Sequence, residues 1–171
     1  MPVQRLNHAV LYVRDVERSV GFYSAVLGFR QVMSAPGAAF LQAEGSSNDH
    51  DLGLFQVGPG AQDTAAGRTE VGLYHLAWEV DTLDELERIA QALADAGALV
   101  GASDHSTTKA LYAKDPDGLE FEVSWLVPAE LITDEVLAAR SSVQRLDLTR
   151  EKARYGGQTR GGVGVSVTAA R

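Results

Sequence analysis

The 171-residue sequence holds four histidines and no cysteine, so its chemistry must be built from imidazole, carboxylate, phenol or amide groups. Two of the histidines open look-alike segments. "NHAVLYV" (residues 7–13) and "YHLAWEV" (74–80) place His8 and His75 at the head of an apolar run rich in strand formers, and an acidic turn and a helical segment follow each. A carboxylate joins them in "DPDGLEFEVSW". On a strand Glu120 and Glu122 share one face, with Phe121 and Val123 on the other. A carboxylate on a strand otherwise built for burial costs free energy unless it is paired, hydrogen-bonded or bound to a metal. Glu120 lies nearer the strand start, where water can reach it, which favours Glu122. Two imidazoles and one carboxylate, with further positions open, suit non-haem Fe(II). Mn(II), Ni(II), Co(II) and Zn(II) fit the same donors.

The elements that must position these residues repeat. After the first strand, "RDVERSVGFYSAVLGF" carries Val16, Val20, Tyr23 and Leu27 at helical spacing, with Asp15 as N-cap and Gly28 as stop. Short strands are predicted at about 29–34, 38–43 and 52–57, separated by turn chemistry. In the second half, "DTLDELERIAQALADAG" (81–97) is an amphipathic helix with Leu83, Leu86, Ile89, Ala90 and Leu93 on one face. Its acidic residues Asp84, Glu85, Glu87 and Asp95 read as a solvated surface. Strands at about 98–102, 107–114 and 119–125 follow. The fold class is therefore α+β, two tandem βαβββ modules (4–57 and 71–126) joined by a Gly-rich linker (58–70) within one domain (1–126). Residues 127–171 form a C-terminal helix, opening after Pro128, and a Gly-rich tail from about Glu151, mobile or packed on a partner subunit.

The paired modules, a His on the first strand of each, and "DPDG" with Glu122 four residues after Gly118 resemble the vicinal oxygen chelate superfamily. Its members include glyoxalase I, fosfomycin and bleomycin resistance proteins, methylmalonyl-CoA epimerase and the type I extradiol ring-cleaving dioxygenases. The resemblance covers about residues 4–126. It implies an open-barrel metal site with His8, His75 and Glu122 as ligands, and a homodimer.

Three further features separate the members. Glyoxalase-like and epimerase-like members take a fourth ligand, typically Glu or Gln, from the last strand of the first module. Here no carboxylate lies between Leu52 and Gln62, and Gln56 is the candidate. A three-ligand site leaves room for both catechol oxygens and O2. His50, just before the apolar "LGLF", resembles the second-sphere His of the extradiol family. The resemblance gives it acid–base work on the reacting oxygen species, and an unperturbed pKa of ~6.5 suits that role. Tyr112, ten residues before Glu122, matches a family Tyr that hydrogen-bonds a substrate oxygen. His105, seven residues before Tyr112, sits two residues closer than its family counterpart. The resemblance is closest to single-domain extradiol dioxygenases and implies cleavage of a catechol-like aromatic with O2. The alternatives are a glyoxalase- or epimerase-like isomerase or lyase, with Gln56 as fourth ligand, and a non-catalytic small-molecule binding protein of the drug-resistance type.

A formal net charge of −8 argues against nucleic acid, whose phosphates demand a basic face. No apolar run approaches the ~20 residues that span a bilayer, and no leader pattern is visible. The expectation is a cytoplasmic protein without nucleic-acid or membrane partners.

Overall fold

The computed structural model describes residues 2–3, 5–66 and 69–162, so the tail beyond Gly162 lies outside the described residues. The chain divides into two compact units: Met1–Ala65 with Asp115–Gly118, and Ala66–Lys114 with Leu119–Arg171.

The first unit contains β1 (Ala9–Val13), α1 (Val16–Leu27), β2 (Arg30–Ala35), β3 (Ala38–Gln42) and β4 (Leu52–Gln56). They form a four-stranded sheet in the order β1-β4-β3-β2, with β1 parallel to β4 and the remaining pairs antiparallel. Alternation divides the sheet into two faces. Leu11 and Val13, Ala39 and Leu41, and Leu52 and Leu54 are buried, with α1 against β3 and β4. Asp15 caps α1 by accepting from Arg18 N, and Gly28 ends it at φ 71°, a left-handed conformation that glycine adopts without a Cβ penalty. The buried stripe of α1 is Val16, Ser19, Tyr23 and Val26. It is turned by one position from the expected stripe, leaving Val20 and Leu27 half-buried at its edge. The turn at Asp115–Gly118 is tied into this unit. Tyr23 Oη donates to Asp115 Oδ2 (3.1 Å), while Arg14 donates through N (3.1 Å) and Nη1 (3.0 Å) to the Asp117 carboxylate.

The second unit repeats the plan with β5 (Leu76–Glu79), α2 (Leu83–Asp95), β6 (Leu99–Asp104), β7 (Thr108–Lys114) and β8 (Glu120–Leu126). β5 and β8 are parallel, and the sheet runs β5-β8-β7-β6. Leu83, Leu86, Ile89 and Leu93 of α2 are buried as expected. Leu111, Ala113, Phe121, Val123 and Trp125 of the sheet are buried too. The two tandem βαβββ modules are thus present, as two open sheets that do not close into a barrel.

The chain after Val127 departs from the single expected helix. It forms a 3-10 turn (Ala129–Leu131), α3 (Asp134–Ala138), a second 3-10 turn (Ala139–Ser141), the two-residue strand β9 (Gln144–Arg145) and α4 (Leu148–Tyr155). Polar side chains break it up. Thr133 and Asp147 each cap a new helix by accepting a backbone N–H, and Ser142 Oγ donates back to Ala139 O (2.8 Å). β9 extends the second sheet at β6. Residues 151–155, expected to begin a tail, lie inside α4 with Glu151 and Tyr155 buried. Among the described residues no helix is long and apolar enough to cross a membrane.

Candidate active site

In the second unit, β8 runs between β5 and β7, so Glu122 has Ala77 beside it on one side and Tyr112 on the other. All three side chains emerge on the face away from Phe121 and Val123. His75 stands just before β5, and its Nε2 lies 3.4 Å from Glu122 Oε2. The His75 and Tyr112 rings are 6.2 Å apart by centroid. The Tyr112 hydroxyl in turn lies 2.9 Å from His105 Nε2. Both meet a residue the sequence reading did not single out, Ser103. Its Oγ is 2.8 Å from His105 Nε2 and donates to Tyr112 Oη at 3.3 Å. The expected strand ended at 102, which left Ser103 in a loop. Carried to Asp104, the same strand puts Ser103 across from Ala110, on the Tyr112 face. Glu120 behaves as a rim residue, 3.7 Å from Lys114 Nζ.

In the first unit His8 and His50 meet, with ring centroids 4.5 Å apart. Phe40 lies across Gly53, where an added Cβ would already sit 3.6 Å from the ring. Its ring lies nearly perpendicular to those of His50 (5.1 Å between centroids) and Phe55 (5.8 Å). Phe40 and Phe55 therefore line this site face, whereas Phe121 belongs to the core of the second unit. Each histidine is oriented through Nδ1, His50 by Asp49 Oδ2 at 3.0 Å and His8 by Asn7 Oδ1 at 2.7 Å. The bond to His50 holds the Asp49 carboxyl below the ordinary carboxylate range. An ionised carboxylate or an amide oxygen only accepts, so Nδ1 is the donor in both pairs and Nε2 is the nitrogen turned away from that bond.

Gln56 is engaged elsewhere. It pairs with Val13, on the helix-covered face, and its Oε1 accepts from Val16 N at 3.2 Å. The neighbouring position on the His8 face is the apolar Phe55.

The donors fit a divalent metal. A ring nitrogen and a carboxylate oxygen 3.4 Å apart can share an ion at ligand distances of about 2.0–2.2 Å. The bond of His8 Nδ1 to Asn7 Oδ1 (2.7 Å) is of the kind that, in metalloproteins, orients an imidazole whose other nitrogen binds a metal. Among the described residues the structure gathers no group of three or more His, Asp or Glu side chains that could hold a metal ion. What it brings together are pairs: His75 with Glu122, His8 with His50, and His105 with Tyr112.

Two repeated βαβββ sheets, each with histidines on the face away from its helix, agree with comparison to known proteins. The Glyoxalase/Bleomycin resistance protein/Dioxygenase superfamily model matches residues 5–123. The chain belongs to this superfamily. A catechol-2,3-dioxygenase of Bacillus subtilis (strain 168) is 33% identical over 118 residues, covering 69% of this chain and 40% of that protein. The superfamily domain described here thus spans less than half of that relative's length. A lactoylglutathione lyase of Escherichia coli O157:H7 is 28% identical over 130 residues, 70% of this chain and 90% of that one. The glyoxylase/bleomycin resistance protein/dioxygenase domain from Frankia sp. EAN1pec superposes with a TM-score of 0.61 at 22% identity, covering 74% of this chain and all of that one. The fold is the superfamily's, and the residues after 123 lie outside the matched region.

Proposed function

We propose that this superfamily member is an extradiol-type dioxygenase that cleaves a catechol-like aromatic with O2, using Fe(II) or Mn(II) held by His8, His75 and Glu122. The observation that carries the reading is the His105–Tyr112 hydrogen bond beside the His75–Glu122 pair. A catechol that binds through both oxygens must give up hydroxyl protons. A phenol hydroxyl coupled to an imidazole nitrogen can hydrogen-bond one of those oxygens and receive a proton from it. Tyr112 touches the substrate oxygen, and His105 holds the proton. Held by these residues, a divalent ion would supply Lewis-acid and templating chemistry for the substrate and O2.

His50 serves the other proton transfer. With Nδ1 bound to Asp49, its Nε2 is the nitrogen that exchanges a proton as the ring opens. Phe40 packs against it and restrains the ring. In the net reaction one ring carbon–carbon bond breaks, and both oxygens of O2 enter the product. The commitment of Gln56 Oε1 to the α1 amide supports a three-ligand site over an isomerase-like four-ligand one. The resemblance to a catechol-2,3-dioxygenase supports the same choice.

The test is oxygen consumption by anaerobically Fe(II)-loaded protein against a panel of catechols, with absorbance followed for a yellow ring-opened product. Uptake coupled to product is expected. Silence across the panel with metal bound would overturn ring cleavage in favour of the isomerase reading, and silence without metal binding would favour a binding protein.

A further inference from the structure

We propose that the C-terminal extension, which the superfamily match does not cover, positions His105 and Tyr112 through a buried ion cluster anchored by Glu151. The ring-cleavage reading supplies the catalytic half of this proposal. Its structural half stands alone.

The reasoning starts from alternation on β6. Ser103 faces the Tyr112 side, and His105 just beyond the strand bonds to Tyr112 there. Asp104, between them, points through the sheet to the opposite face, where it pairs with Lys109. One residue between two site residues is therefore an anchor.

Lys109 is on β7 among Leu111 and Ala113, and only 1% of its side chain is exposed. A lone ammonium there would be very costly. Its Nζ lies 2.6 Å from Asp104 Oδ1 and 2.9 Å from Glu151 Oε2 of α4, and donates to Ser106 O at 3.0 Å. Glu151 is as deeply buried as Lys109. Arg150 spans the two carboxylates, 3.2 Å from Asp104 and 2.8 Å from Glu151. Two cations and two anions thus balance at a point where the extension meets the sheet.

The extension grips the same turn at two more places. β9 pairs with β6 at Ser103 and Asp104. Ser106 Oγ donates to Val136 O at 2.6 Å. The turn needs such support, since Ser106 has φ 68°, a left-handed conformation that a residue with a Cβ adopts at a steric cost. Asp104 Oδ1 holds it there by accepting Ser106 N at 2.7 Å. His105 is thereby fixed between two restrained neighbours, with its Nε2 aimed at Ser103 and Tyr112. Nothing in the site chemistry itself requires a buried lysine or a helix-borne carboxylate. The cluster is explained by what it orients.

Two variants test this in full-length protein, Glu151→Gln, which removes the charge and keeps the shape, and Ser106→Gly, which frees the turn and deletes the Val136 bond. Thermal unfolding establishes that each folds. The imidazole nitrogen shifts of His105 are then read by NMR in metal-free protein, assigned by comparison with His105→Gln. Both variants are expected to move the His105 signals toward those of an unrestrained histidine. They should lower kcat for ring cleavage by roughly tenfold to a hundredfold, the scale of a small misplacement, with KM little changed. Should Glu151→Gln fail to fold, Ser106→Gly alone decides. Unshifted His105 signals in a folded Ser106→Gly variant would overturn the positioning role. Shifted signals in a protein without oxygenase activity would uphold it and reject ring cleavage instead.

Discussion

His75 Nε2 and Glu122 Oε2 stand 3.4 Å apart, borne on or beside adjacent parallel strands of one sheet. A histidine and a carboxylate at that distance either pair with each other or share a cation. If they share one, metal binding stabilises the fold. At a hundred times Kd the gain is about 2.7 kcal/mol. Thermal unfolding with and without Mn(II) should show a clear upward shift in the wild-type protein and none in His75→Ala or Glu122→Gln. An equal shift in all three would remove this pair from the ligand set.

The Tyr112 hydroxyl accepts from Ser103 Oγ and is hydrogen-bonded to His105 Nε2. Tyr112→Phe keeps the ring and deletes those bonds, at a stability cost of about 1 kcal/mol. If the hydroxyl touches substrate, kcat/KM for the ring-opened product should fall by roughly tenfold to a hundredfold. Steady-state kinetics on a responsive catechol measures it. Wild-type turnover would show that the phenol contacts no reacting group.

Gln56 separates a three-ligand site from a four-ligand one. Because its Oε1 accepts from the Val16 amide, Gln56→Met should cost about 1 kcal/mol in lost capping. Mn(II) affinity, followed by calorimetric titration, should be unchanged. A large loss of affinity would restore Gln56 as a ligand and strengthen the isomerase alternative.

The Tyr23 phenol makes the stability of the first unit sensitive to alkali. Burial, with Asp115 alongside, pushes its pKa well above 10. Below about pH 10 the phenol is neutral in both folded and unfolded chains, and its stabilising effect is complete. Above that, the unfolded chain releases the proton while the folded one keeps it, so stability falls until the folded phenol also ionises. Tyr23→Phe should be less stable at pH 8 by about 1–2 kcal/mol, from the lost bond to a carboxylate, but show a shallower alkaline decline. Urea unfolding between pH 8 and 11 compares the two, and parallel declines would contradict the assignment.

Much of this fold was legible in one dimension. The recurrence of His-led apolar runs, each with a helix and three short strands, established two βαβββ modules, because period-2 and period-3.6 patterns are local properties of the chain. The caps at Asp15 and Gly28 and the buried stripe of α2 were equally local. Alternation alone put Glu120 and Glu122 on one face, away from Phe121 and Val123, and the place of Glu120 nearer the strand start marked it as the rim residue of the two.

Other features required the folded chain. One position of register sent Gln56 to the helix side of β4 and Phe55 to the His8 side, and a strand that ends two residues later than expected brought Ser103 to Tyr112. Neither shift leaves a mark in composition, because register is set by the partner strand. The extension was the hardest part to read. From about Glu151 onward its basic, Gly-rich sequence resembles a solvated tail, yet Glu151 is buried against Lys109, forty-two residues earlier in the chain. A buried charge is tolerated only where its counter-charge arrives, and that pairing is made by the fold, not by neighbours in sequence.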